Sequence, residues 1–82
     1  MVAPNPFEAI TQLEYVLASE EHVLIEVYDL AGSRVLQLAN EVRPAGHQTE
    51  QLNAGALQPG SYLIRLIAGE SSTMKMIVLV GQ

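Results

Sequence analysis

Apolar and polar residues alternate along most of this 82-residue chain with a period of two, the spacing of half-buried β-strands rather than of helices. In ITQLEYVL, Leu13, Tyr15 and Leu17 fall on one face, with Gln12 and Glu14 on the other. After the polar break ASEE, HVLIEVYDL repeats the pattern, with Val23, Ile25 and Val27 expected inward and Glu26 outward. DLAGS, Asp29 to Ser33, supplies a turn, since Gly32 can take a positive φ without a Cβ penalty. RVLQLA follows as a third strand carrying Val35, Leu36 and Leu38. In NEVRPAG, Pro44 cannot donate to a ladder and Gly46 permits a turn, so the strand is expected to break there.

HQTEQL then alternates weakly, as an edge strand does, and NAGALQPG reads as a corner. SYLIRLIA places Tyr62, Ile64 and Leu66 on one face, GESS makes a hairpin, and TMKMIVLV closes the chain as a strand. No segment holds a helical stripe. The expected fold is all-β: an immunoglobulin-like or fibronectin-like antiparallel sandwich of about seven strands. Within LQPGSYLIRL, a Pro-Gly turn followed by Tyr62 has the order of a tyrosine corner, in which a buried ring satisfies an upstream backbone group through its hydroxyl. A plain core aromatic is the alternative.

Several strands are apolar on both faces, which a thin two-layer sandwich cannot bury. If Val23, Ile25 and Val27 are inside, Leu24 and Leu30 share the other face with Tyr28; Leu63 and Ile67 share theirs with Arg65. In the last strand Met74, Met76, Val78 and Val80 alternate with Thr73, Lys75, Ile77 and Leu79. Two readings stand. Scattered exposed apolar residues are ordinary. Alternatively Leu63, Ile67, Met74, Met76 and Val78 form a docking surface or support weak homo-oligomers through a patch or an open edge.

Composition narrows the chemistry. With 49% apolar residues the chain can build a core, and its length suits one domain. The net charge of −5 comes from nine acids against four scattered bases, so no basic patch exists to track nucleic acid. There is no cysteine, hence no disulfide and no thiolate site. The longest apolar run, Met76 to Val80, falls far short of the ~20 residues a spanning helix needs.

His22 follows Glu20 and Glu21, but three successive residues cannot converge on one ion, and a solvated turn is expected. His47 has no nucleophile or acid beside it in a recognisable arrangement. Glu14, Glu26 and Glu50 are expected singly on outer faces, where they make no catalytic pair. No catalytic residue, metal site or cofactor is expected, and the chain reads as a non-enzyme. Met1 ahead of VAPNPF reads as an added start, so residues 1–82 are expected to be a single module from a larger protein. In that opening, Pro4 and Pro6 bias Ala3 and Asn5 toward extended geometry, as suits a stiff lead-in with Phe7 tucking against the domain.

Taken in order, PNPF at Pro4–Phe7, VLIEVYDLAGSRV at 23–35, Ala45-Gly46, LQPGSYLIRL at 57–66 and a last strand with Lys75 resemble the type A C-terminal sorting domain of the type IX secretion system of Bacteroidetes. The chain differs from the family's usual pattern in having Ser33 between Gly32 and Arg34 and in ending Gly81-Gln82. The resemblance implies a β-sandwich tail that directs an N-terminal cargo domain through the outer membrane. Its implied partners are the outer-membrane translocon, a shuttle protein and a sortase-like cysteine protease. The implied route runs through the periplasm to the cell surface or the medium.

By the same resemblance Pro4, Asn5, Pro6 and Phe7 match the opening motif, Gly32, Gly60 and Tyr62 match turn and corner positions, and Lys75 matches the basic residue of the last strand. An immunoglobulin-like spacer or adhesion module, similar to the sandwich of flagellar hook-capping proteins, is the alternative. A carbohydrate-binding module is disfavoured, because there is no tryptophan for a stacking platform.

Overall fold

The computed structural model describes Met1 and residues 9–80; the opening motif Pro4, Asn5, Pro6 and Phe7 lies outside them. Six strands follow one another: β1 (Ile10–Leu17), β2 (Glu21–Asp29), β3 (Arg34–Arg43), β4 (Gly46–Asn53), β5 (Gly60–Ala68) and β6 (Ser71–Leu79). They form a two-stranded sheet, β1-β4, and a four-stranded sheet in the order β3-β2-β5-β6. Every pairing is antiparallel.

The all-β expectation holds; the described residues form six antiparallel strands in sheets of two and four, neither of them closed, short of the seven expected for an immunoglobulin-like or fibronectin-like sandwich. Each strand takes eight to ten residues. The third strand in particular continues through NEVR to Arg43, and the break falls at Pro44 and Ala45.

The inward-facing sets match the alternation. Leu13, Tyr15 and Leu17 from β1 meet Val23, Ile25 and Val27 from β2 and Tyr62, Ile64 and Leu66 from β5, all buried. Ile77 and Leu79 of β6, Leu52 of β4 and Ala54 just after it complete the same cluster. Burying one such aliphatic side chain is worth about 1.5–3 kcal/mol. These residues therefore hold the two layers together.

β3 explains why RVLQLA does not alternate. Its register with β2 runs Ile25↔Ala39, then Glu26↔Gln37, then Val27↔Leu36, then Tyr28↔Arg34, which leaves Leu38 and Val35 as extra, bulged residues. The bulges put Leu36 and Ala39, three positions apart, opposite inward-facing residues of β2. They also twist an edge strand that would otherwise invite another chain to pair.

The β2–β3 turn is built by Asp29. Its carboxylate accepts the amides of Ala31 (3.0 Å) and Ser33 (2.9 Å), and its carbonyl accepts the amide of Gly32, where φ is +92°. That angle is the reason for glycine there.

Candidate functional site

Tyr62 opens the buried face of β5, and its hydroxyl donates to the carbonyl of Gln58, four residues upstream, at 2.5 Å. The ring is 8% exposed, so the tyrosine-corner geometry is formed. Gly60, at φ +154°, turns the chain from Pro59 into the strand. Antiparallel registry pairs Asp29 with Tyr62 and Leu79 with Gly60. The Gly32 turn, the Gly60–Tyr62 corner and the end of β6 thus lie at one end of the four-stranded sheet. Beside the corner, Ala54, Leu57, Pro59, Leu79 and Val80 line an open apolar depression of about 290 Å³.

Lys75 stands apart from that end. Its register partner is Ile64, so it shares the inward-facing side of β6 with Ile77, half-buried at the rim. It has no ion pair among the described residues. Met74 and Met76 project from the opposite side of the same strand and are 57% and 52% exposed. Val78 follows them on that side, and Leu63 and Ile67 are half-buried beside them on β5. The residues expected to form a docking surface therefore share one outer face, whereas Lys75 points away from it. The sequence motif gathers residues that the fold distributes over separate surfaces.

Two polar networks were not foreseen. Glu26 does lie on the outer face of its sheet, yet it is only 7% exposed. Its Oε1 accepts the Tyr28 hydroxyl at 2.8 Å and its Oε2 accepts Arg34 Nη1 at 3.0 Å. The Arg34 and Tyr28 hydrogen bonds outweigh desolvation and hold its carboxyl below the usual glutamate range. The available signal was spacing: Glu26 and Tyr28, two apart on a strand, share a face.

Glu50 also departs from expectation. It pairs with Leu13 in register and so faces inward, where Tyr15 donates to its Oε1 at 3.1 Å and Arg43 Nη2 lies 2.8 Å away. Arg43 Nη1 meets Glu41 at 2.6 Å. Burial, with Glu50 next to it, raises the Tyr15 hydroxyl above its ordinary value. Burial alone would lower Arg43, but Glu50 and Glu41 outweigh it and raise the guanidinium further. Only Glu14 sits singly on an outer face, 3.7 Å from His47. His22 lies within β2, with Nε2 2.6 Å from Asn40 Oδ1. Among the described residues no group of three or more His, Cys, Asp or Glu side chains is placed to hold a metal ion.

What these residues build is a small two-layer β-domain in which Glu26 and Glu50 anchor hydrogen-bonded networks within the fold. The chain belongs to the family of secretion system C-terminal sorting domains, whose profile matches residues 1–80. It is accordingly a type IX secretion sorting domain, a signal that directs attached protein to export. Searches of curated proteins and of solved structures returned no match.

Proposed function

We propose that residues 1–82 act as one non-enzymatic tail behind a cargo domain, and that the export machinery reads this tail as a folded domain rather than as a linear motif. The coincidence of signal and fold carries this reading: the family match covers residues 1–80, and the core runs from Leu13 to Leu79. A recogniser that needed an extended peptide would have to strip a strand from that core. In this reading the outer-membrane translocon and its shuttle protein bind the domain. A sortase-like protease then separates it from the cargo, which is released or held at the cell surface.

Pro4, Asn5, Pro6 and Phe7 form the border with the cargo, Gly32, Gly60 and Tyr62 shape the turn and corner end, and Lys75 offers a cation with no ion pair among the described residues at the β6 rim. No cofactor or nucleic acid takes part. The test fuses residues 2–82 behind a periplasmic reporter in a bacterium carrying the type IX system. The reporter is expected at the surface or in the medium. Its retention in the periplasm overturns the reading.

A further inference from the structure

On the outer face of the four-stranded sheet, Arg65 lies directly across from Glu26 on one side and Met74 on the other. Both oxygens of Glu26 are already occupied, by Tyr28 and by Arg34. Arg65, half-buried, makes no hydrogen bond or close ion pair to a carboxylate among the described residues. Apart from Glu26, whose carboxyl Arg65 helps to hold low without a hydrogen bond, its neighbours on this face are largely apolar: Leu63 and Ile67 flank it on β5, and Leu24 and Tyr28 sit diagonally across on β2. A cation within an apolar surround is how the energetically dominant residues of protein interfaces are set. Glu26 is shared between Arg34, which donates a hydrogen bond to it, and Arg65 across from it, so covering this face calls for a second acid, since burying a guanidinium without a close partner is strongly unfavourable.

We infer that this face, centred on Arg65 and Met74, is where a protein of the export machinery docks, presenting a carboxylate set among apolar side chains. The inference rests on the sorting function. Charge selects this occupant over two others. A two-fold contact between copies centred here would set Arg65 against its own counterpart. An anionic bilayer is held by clusters of about 4–8 Lys or Arg, more than the two arginines of this face supply. Among the described residues this face instead carries two arginines, Arg34 and Arg65, against the single Glu26, so it is the cationic side of an acidic domain and fits an acidic partner.

The test uses the full-chain reporter fusion with Arg65→Gln, Arg65→Lys and Met74→Gln, alongside urea unfolding of each purified variant. Arg65→Gln and Met74→Gln are expected to lower export at least about tenfold, the scale of an interface hot spot, while Arg65→Lys keeps most of it. Undiminished export by a folded Arg65→Gln variant overturns the inference. If Arg65→Gln does not fold, the exposed Met74→Gln decides alone. Flotation of the purified chain with phosphatidylglycerol vesicles, or dimers in sedimentation, lost on Arg65→Gln, would also overturn it in favour of lipid or a second copy. Export of the parent fusion separates the two failures, because its retention in the periplasm overturns the sorting function and this inference together.

Discussion

Arg43 and Glu50 join the two sheets: the guanidinium of β3 lies 2.8 Å from the carboxylate of β4, which also accepts the Tyr15 hydroxyl of β1. The Glu50 side chain is 11% exposed, and Arg43 Nε is buried without a partner among the described residues. Removing one member leaves charge stranded, whereas removing both does not. Glu50→Gln is expected to lower stability by about 1–3 kcal/mol. Arg43→Met combined with Glu50→Leu is expected to recover most of that loss, and urea unfolding of the two variants checks it.

Tyr62→Phe removes the hydroxyl and leaves the Gln58 carbonyl without its donor. The expected loss is about 1–2 kcal/mol, which lowers Tm by roughly 4–8 °C per kcal/mol in a domain this small. Thermal unfolding followed by circular dichroism measures it. An unchanged Tm would mean that the corner is not held by this bond.

Glu26 ties stability to pH. Its folded-state pKa lies below the usual glutamate value, chiefly through the Arg34 hydrogen bond. Its contribution is therefore present above the unfolded-state pKa and is lost as pH falls through the depressed folded value. Wild-type stability should drop across the acidic range below the ordinary glutamate pKa. Glu26→Gln should be less stable at neutral pH and show a shallower decline, as urea midpoints from pH 7 down to pH 3 would report.

Ile64 is fully buried at the centre of β5. Ile64→Ala is expected to cost about 2–5 kcal/mol, enough to unfold a marginal domain. In the reporter fusion the same change should abolish export if the machinery reads the folded domain. Continued export of an unfolded variant would favour a linear signal.

The sequence by itself determined the strands and their buried faces. Alternation is local chemistry, so Leu13, Tyr15 and Leu17, like Tyr62, Ile64 and Leu66, could be assigned to the core before any neighbour was known. The tyrosine corner was legible for the same reason, since Gln58, Pro59, Gly60 and Tyr62 lie within one short segment. The family was legible from the order of such segments. Tertiary structure alone decided the strand count and layering, because bulges at Val35 and Leu38 depend on β3 meeting β2. It alone turned Glu50 inward, since that orientation comes from pairing with β1 and from an arginine on another sheet. It also separated Lys75 from Met74 and Met76, and set two arginines, Arg34 and Arg65, beside the single carboxylate of Glu26, with only Arg34 hydrogen-bonded to it among the described residues. Local periodicity assigns a side chain to a face, but which partners reach it depends on registry between strands far apart in the chain.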